Sequence, residues 1–364
     1  MTSSEQPIEL QSSELEPLLW PVEWAYASGI PQSHAHIKTH CNDFLVTEDL
    51  GYEPCGEGEH VYLDITKTDT NTDFLARSIA KLAGVPVKQV NYSGLKDRRG
   101  ITRQWFGVHL PGKAAVVDPD WQLLQSPEVH LHQVVRHLRK LKTGVHQGNV
   151  FAIRLRNIKV SDALERKLTI ISEQGAPNYF GDQRFGHHGG NLGLALSMMQ
   201  GKRIKDRFKR GMALSSVRSY LFNQLLSQRV HDGSWLQAAV GERCMFSDGF
   251  SQFDACEPTD LASVQQRIDT GDLAPTGVMA GRVGNPPVTP ASVYEAQILE
   301  PWQPWIGALV EQDLTAQRRS LRLWPKDFSW RWGEDDVLEL NFHLMRGSYA
   351  TALVREITQA EQPQ

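Results

Sequence analysis

One stretch of the sequence places a single carboxylate among several cations. It runs from Tyr92 to Val108, YSGLKDRRGITRQWFGV, and Gly94 and Gly100 bracket its acid, Asp97. Three basic residues adjoin this acid: Lys96, Arg98 and Arg99. Nearby cations favour the ionised carboxylate, which suits a nucleophile or a general base. The alternative is a loop aspartate that pairs with one of its arginine neighbours.

Two other stretches are dense in basic residues, residues 136–142 and residues 202–210. Residues 202–210, KRIKDRFKR, hold six basic residues against one acid, hence a local net charge of +5. Clusters of this kind can bind the phosphate backbone of a nucleic acid. Our candidates for backbone contacts are Lys202, Arg203, Lys205, Arg136, Arg139 and Lys140. A solvated charged face is the alternative, since short charge runs are usually solvated.

The stretch from Pro177 to Gly190, PNYFGDQRFGHHGG, mixes aromatic residues with glycine and Arg184. Such a mixture suits stacking on unpaired bases, and it equally suits a packed aromatic turn. His187 and His188 are adjacent, so on a helix or strand they point in different directions, which is poor geometry for one metal. No CxxC spacing indicates zinc among the four cysteines, Cys41, Cys55, Cys244 and Cys256.

Several classes of protein are excluded by what the sequence lacks. There is no P-loop and no GxGxxG after a strand, so no nucleotide cofactor is expected. The net charge of −4 excludes a uniformly basic nucleic-acid binder but leaves room for local basic patches. No signal peptide and no run of transmembrane length is visible. We therefore expect a cytoplasmic, RNA-acting enzyme that needs neither metal nor cofactor.

The elements around Asp97 follow an α+β pattern. Alternating apolar residues predict strands near Phe44, over residues 61–65 and over residues 151–155. Asn71 can cap a helix whose apolar face would hold Phe74, Leu75, Ile79 and Leu82. Glu48 and Asp49, adjacent at a strand end, indicate a surface acidic pair.

Further elements are expected in the second half of the chain. Ser215 or Ser216 can cap a helix over residues 217–230, and residues 232–300 indicate short strands and loops. A helix is expected from Glu311 to Trp324, followed by an alternating strand from Leu338 to Leu344 and a last helix over residues 349–356.

Seven short pieces share their order and spacing with a known family. They are DFLVTEDLGYEPCGEGEH, KTDTNTDFLARSIAKLAG, YSGLKDRRGITRQWFGV, GNVFAIRLR, PNYFGDQRFG, RSYLFNQ and GSYATALVRE. Through them the sequence resembles tRNA pseudouridine synthase D, the TruD family, from about Lys38 to Glu356. Each piece is short, but their order and spacing together are highly specific.

The resemblance implies candidate site residues. The catalytic aspartate of the family's GLKDR-type loop corresponds to Asp97. Four residues correspond to those that line the family's uridine pocket: Phe44, Asn149, Phe151 and Tyr349. Lys38 is the nearest match to a lysine near the active site, and Asn42 stands where the family can have an acid. Lys38 and Arg184 are the two candidates for the basic partner of Asp97.

The resemblance also implies the domain organisation. The family has an α+β catalytic domain with a mixed or antiparallel sheet, built from both ends of the chain, and an inserted α+β domain called the TRUD domain. We expect an irregular leader over residues 1–33, the catalytic domain over residues 34–174 and 316–364, and the inserted domain over residues 175–315.

The family's reaction is the isomerisation of uridine to pseudouridine, at position 13 of tRNA. Substrate and product contain the same atoms, so the reaction requires no cofactor. Asp97 has two open routes, which are attack on the ribose and removal of a ribose proton to give a glycal. Two rivals also remain, a non-catalytic module that binds and remodels tRNA and a metal-independent glycosidase acting on a free nucleoside. The sequence has neither a heptad repeat nor an exposed apolar stripe that would indicate an oligomer, so we expect a monomer.

Overall fold

The computed structural model describes residues 15–110, 118–253, 257–284 and 287–361. Cys256 and residues 1–14 of the expected leader lie outside these ranges. Within them, no helix is long and apolar enough to cross a bilayer, and no three His, Cys, Asp or Glu side chains cluster so as to hold a metal ion. The chain divides into two compact units. The sheet unit holds residues 31–173, 325–350 and 357–361, and the helical unit holds residues 15–30, 174–324 and 351–356.

The strands of the described residues are numbered in chain order. They are β1 (His34–Ile37), β2 (Phe44–Asp49), β3 (His60–Thr68), β4 (Val90–Tyr92), β5 (Ile101–His109), β6 (Val129–His137), β7 (Gly148–Arg156), β8 (Ala176–Pro177), β9 (Cys244–Phe246), β10 (Gln252–Phe253), β11 (Leu273–Met279), β12 (Gln317–Ser320), β13 (Arg322–Leu323), β14 (Lys326–Trp332), β15 (Leu338–Met345) and β16 (Gln359–Glu361).

The α-helices are numbered in the same way. They are α1 (Thr72–Leu82), α2 (Asp162–Gln174), α3 (Gly190–Met199), α4 (Arg207–His231), α5 (Leu261–Asp269), α6 (Pro290–Leu299), α7 (Gln303–Glu311) and α8 (Ala350–Ile357).

A mixed sheet of ten described strands forms the sheet unit. Seven of them follow the order β14-β15-β7-β2-β5-β3-β6, while β1, β4 and β16 pair beside this path. The pairs β2–β5 and β1–β16 are parallel, and the other pairs are antiparallel. This arrangement confirms the expected α+β fold with a mixed sheet. Because β7 lies between β2 and β15, the sheet joins strands from both ends of the chain.

Helix α1 packs its apolar face into the core of the sheet unit. Asn71 caps it, as expected, by accepting a hydrogen bond from the backbone N–H of Asp73 at 2.8 Å. Leu75 and Ile79 are buried in a cluster with Val61, Leu63, Ile65, Phe106 and Val108. Phe74 was expected on the same face, but it is 62% exposed. It lies about 100° around the helix from Leu75 and so points away from the core.

The helical unit contains a four-stranded antiparallel sheet, in the order β10-β9-β11-β12, and the separate pair β8–β13. Its longest helix, α4, buries Val217, Leu221 and Leu225. The prediction that Ser215 or Ser216 caps this helix is wrong, because the Asp206 side chain caps it two turns earlier. Residues 232–300 also contain the helices α5 and α6 besides the expected short strands.

Residues 311–324 differ most from the sequence prediction. The expected helix is wrong: α7 ends at Glu311, and the strands β12 and β13 follow. β12 pairs with β11 and β13 pairs with β8, so long-range strand pairing overrides the local helical pattern. In the structure the chain enters the sheet unit again at residue 325, and residues 15–30 group with the helical unit.

Candidate active site

An ion pair joins Asp97 to Lys38, which precedes it by 59 residues. Asp97 lies in the loop between β4 and β5. The Lys38 ammonium donates a hydrogen bond to Asp97 Oδ2 at 2.7 Å. The lysine side chain is 3% exposed, whereas the aspartate side chain is 32% exposed. The buried cation therefore fixes the carboxylate and leaves part of it accessible.

The backbone around this pair is tightly constrained. Lys38 follows β1 directly and has a φ of 59°, a left-handed conformation that is uncommon outside glycine. Its ammonium also lies 4.0 Å from the ring centroid of Phe44, the first residue of β2. Gly100 has a φ of 154°, and a Cβ atom there would lie 2.7 Å from the Phe44 carbonyl oxygen. Glycine therefore allows the Asp97 loop to pass directly against Phe44.

Three of the predicted pocket residues share one face of adjacent strands. Phe44 of β2 and Phe151 of β7 pack edge to face, with ring centroids 6.2 Å apart. Phe151 also stacks on Phe342 of β15 at 5.3 Å. Asn149 lies two residues before Phe151 and hence on the same face, and its buried amide oxygen has no hydrogen-bond partner among the described residues. Tyr349 is half-buried and follows β15 in sequence, and its place in the pocket stays a prediction.

Cations close to Asp97 in sequence have other acidic partners. These pairs are Lys96 with Glu48 (2.8 Å), Arg98 with Asp69 (3.3 Å) and Arg103 with Asp64 (2.5 Å). Among the ion pairs of the described residues, Asp97 pairs with Lys38 and not with Arg98 or Arg99, so the arginine pairing considered from the sequence is not formed. The counter-ion comes instead from the end of a distant strand.

Arg184, the other candidate for the basic partner of Asp97, lies in the helical unit. Its guanidinium lies 5.5 Å from the Phe180 ring and donates to Ser215 Oγ at 3.3 Å. The neighbouring rings of Tyr179, Phe180 and Phe185 are buried. Of the two sequence interpretations for this stretch, the packed aromatic turn is therefore the one formed. Lys38 is the ion-pair partner of Asp97, and a contact of Arg184 with substrate stays a prediction.

The six candidates for RNA-backbone contacts differ in their surroundings. Five are exposed: Lys202, Arg203 and Lys205 in the helical unit, and Arg139 and Lys140 in the sheet unit. Arg136 instead forms an ion pair with Asp118 and donates to the Gly58 carbonyl oxygen at 3.0 Å. Its charge is balanced within the fold, so Arg136 is the least suited of the six to bind phosphate.

Comparison with known proteins gives the family. The family model described as tRNA pseudouridine synthase D (TruD) matches residues 23–205 and 202–357. The chain belongs to the TruD family. A tRNA pseudouridine synthase D from Aeromonas hydrophila subsp. hydrophila is 42% identical over 338 residues, 93% of this chain and 94% of the relative. Another, from Pseudoalteromonas atlantica, is 38% identical over 343 residues, 93% of this chain and 96% of the relative.

A solved structure shares the fold of this TruD chain. It is the crystal structure of a Methanosarcina mazei protein described as a tRNA pseudouridine synthase D. The TM-score is 0.66, with 92% of this chain and 96% of that chain covered, at 18% sequence identity. At this identity the likeness concerns the fold alone. With its family, the chain is a pseudouridine synthase and hence an isomerase.

Glu48 is a buried anchor of the Asp97 loop in this TruD chain, and it was not predicted from the sequence. Its carboxylate accepts hydrogen bonds from Ser93 Oγ at 2.5 Å, from Lys96 Nζ at 2.8 Å and from the Trp105 backbone N–H at 3.3 Å. The prediction of a surface acidic pair with Asp49 is wrong for Glu48, which is buried. The alternation along β2 contained the signal, because Glu48 faces the same side as the buried Phe44.

Lys67, on β3, is a second missed anchor. It is fully buried, and its ammonium donates to the Thr70 carbonyl oxygen at 2.7 Å and to the Asp97 carbonyl oxygen at 3.1 Å. Burial lowers the pKa of Lys67 to about 8, although the charge of Asp97 acts in the opposite direction. Lys38 thus holds the side chain of Asp97 while Lys67 holds its main chain.

Proposed function

We propose that this chain converts uridine to pseudouridine in tRNA, with Asp97 as the single catalytic carboxylate. The observation that carries the proposal is the Lys38–Asp97 ion pair, in which a buried ammonium holds a partly exposed carboxylate. Relatives that are 38% and 42% identical over more than nine-tenths of the chain are tRNA pseudouridine synthases D. Position 13 of tRNA follows from the family resemblance.

The reaction is balanced without any co-reactant. The bond between ribose C1′ and uracil N1 breaks, the uracil turns, and a bond forms between C1′ and C5. The proton on C5 is lost, and N1 gains a proton. Since uridine and pseudouridine are isomers, neither an oxidant nor a group donor is required, and we propose that the enzyme uses neither metal nor cofactor.

Asp97 is suited to react at the sugar. The ammonium of Lys38 donates a hydrogen bond to the carboxylate of Asp97, and a carboxylate can act as a nucleophile or as a base. Attack at C1′ would give a covalent intermediate, whereas removal of the C2′ proton would give a glycal. Both routes need the carboxylate at one fixed place, which its contacts with Lys38 and Lys67 provide.

The uridine must leave its stack to reach Asp97, at a cost of a few kcal/mol. An aromatic ring in the pocket can offset this cost, since stacking of a base on an aromatic side chain contributes roughly 1–3 kcal/mol. Of the three pocket rings that the resemblance suggests, Phe44 and Phe151 are buried, while Tyr349 is only half-buried and is better placed to stack. The unpartnered amide oxygen of Asn149 can accept a hydrogen bond from the uracil or the ribose.

The proposed partner is tRNA, bound by exposed cations of the two units. Lys202, Arg203 and Lys205 lie within the stretch of +5 net charge, given by its six basic residues and one acid. Such clusters attract a polyanion even when the whole protein is acidic. The monomeric state and the cytoplasmic location stay predictions from the sequence.

Carbodiimide labelling followed by mass spectrometry tests the proposal, since pseudouridine has the mass of uridine and only the label reveals it. The purified chain is incubated with an unmodified tRNA transcript, and one stable label at position 13 is expected. A tRNA that is bound tightly but never labelled would support the non-catalytic module. Release of free uracil from nucleosides would support the glycosidase.

A further inference from the structure

We propose that Phe208 is a stacking platform for an unpaired base of the RNA substrate. Phe208 is the second residue of α4, and it is 68% exposed. It lies within residues 202–210, the most basic stretch of the chain. The inference rests on the proposed RNA substrate and adds a contact with a base to the proposed contacts with phosphates.

The first turn of α4 holds the ring on a fixed support. The Asp206 side chain accepts hydrogen bonds from the backbone N–H groups of Phe208 at 2.9 Å and Lys209 at 3.1 Å. Side chains on a helix lean towards its N-terminus, so the ring is expected to lean towards residues 203–205, which include Arg203 and Lys205. Gly211, three residues on and on the same helix face, is exposed and has no side chain to cover the ring.

The cations around Phe208 are not compensated within the fold. In the described part of the chain, none of five exposed basic residues forms an ion pair: Lys202, Arg203, Lys205, Arg207 and Lys209. An apolar protein partner would have to desolvate these charges, which is costly. A nucleotide matches both features, because its base stacks on the ring while its phosphates meet the cations.

Another exposed ring provides the matched control. Single exposed aromatic residues are ordinary on protein surfaces, and Phe74 of α1 is 62% exposed. It follows Asp73 and is not part of a basic cluster. If exposure alone mattered, both rings would contribute equally to RNA binding. If the combination of ring and cations matters, Phe208 alone contributes.

Fluorescence anisotropy with a labelled single-stranded oligoribonucleotide, and with the tRNA transcript, tests this proposal at several salt concentrations. For Phe208→Ala we expect affinity about 5- to 150-fold weaker, from the loss of one stacked base, with an unchanged salt slope because no charge is removed. Phe208→Trp should restore the affinity, and Phe208→Leu should not. Phe74→Ala should stay within about twofold of the wild type. Thermal unfolding of each variant shows that it is folded.

Affinity of Phe208→Ala within about twofold of the wild type would overturn the inference, and so would full affinity of Phe208→Leu. The experiments can contradict the proposed function without contradicting the stacking platform, and the reverse. If binding depends on the Phe208 ring but the wild-type chain never labels tRNA, the stacking platform stands and the synthase activity does not. If labelling occurs and binding ignores Phe208, only the platform is overturned.

Discussion

Lys38 Nζ and Asp97 Oδ2 lie 2.7 Å apart, although 59 residues separate the two in sequence. The pair is asymmetric, since the lysine is buried and the aspartate is partly open. This asymmetry supports our proposal that the carboxylate reacts and that the ammonium positions it. Lys96, the residue before Asp97, pairs instead with Glu48.

Replacing Lys38 tests its positioning role. Lys38→Met keeps the length of the side chain but removes a charge-assisted hydrogen bond, which is worth about 1.5–3 kcal/mol. We expect kcat/KM for pseudouridine formation to fall about 10- to 100-fold, measured from initial rates with the tRNA transcript. Lys88→Met, at an exposed lysine, is the control and should retain wild-type rates. Equal rates for the two variants would show that Lys38 does not position Asp97.

Glu48→Gln should destabilise the fold through the buried charge it leaves behind. The side chain of Lys96 is only 6% exposed, and breaking a buried ion pair by removing one partner costs about 3–5 kcal/mol. Urea unfolding should show a loss of about this size, whereas Glu53→Gln, at an exposed acid, should change little. The double variant Glu48→Gln, Lys96→Met should recover part of the loss. Independent, additive effects of the two substitutions would contradict the account.

Because the pKa of Lys67 is lowered, we expect the stability of the fold to depend on pH. Its pKa is about 8 in the folded chain and near its ordinary value of 10.5 in the unfolded chain. Between these two pH values the unfolded chain binds more protons than the folded chain. The free energy of unfolding therefore increases as pH rises. Relative to Lys67→Met, the wild type should gain up to about 3 kcal/mol between pH 7.5 and 10. Urea unfolding of both proteins measures this, and a difference that is constant with pH would contradict it.

The basic stretch of the helical unit should set the salt dependence of tRNA binding. Neutralising Lys202, Arg203 and Lys205 to Gln should reduce the slope of log Kd against log salt by up to about 2–3, close to 0.7–0.9 per lost phosphate contact. Arg136→Gln is the comparison, because Asp118 already balances that charge. The salt slope of Arg136→Gln should change by less than the roughly 0.7–0.9 that one phosphate contact contributes. An unchanged slope in the triple variant would assign residues 202–205 to a solvated face.

Much of the sheet unit could be predicted from local sequence. Alternating apolar residues located β2, β3, β7 and β15, and Asn71 marked the start of α1, because these signals arise within a few residues. The strands β12 and β13 could not be predicted, since only their pairing with β11 and β8 prevents a helix. Local pattern therefore predicted the strands whose own residues alternate, although their partners in the sheet are distant in sequence.

The candidate site could likewise be predicted only in part. Asp97 could be named from its loop and from the resemblance, but its counter-ion was one of two candidates until the strand order brought Lys38 to it. Glu48 and Lys67 were missed because a charged residue in a short strand usually indicates a surface position. Hydrogen bonds make their burial tolerable: Glu48 accepts from Ser93, Lys96 and the Trp105 N–H, and Lys67 donates to the carbonyl oxygens of Thr70 and Asp97.

The most direct test of the central claim is pseudouridine formation by Asp97→Asn, measured by carbodiimide labelling and mass spectrometry of the tRNA transcript. Asparagine keeps the shape of the side chain but is neither a nucleophile nor a base. We expect labelling to fall more than about 100-fold, while tRNA binding and thermal unfolding stay close to the wild type. Labelling by Asp97→Asn at nearly the wild-type rate would contradict the claim that Asp97 is the catalytic carboxylate.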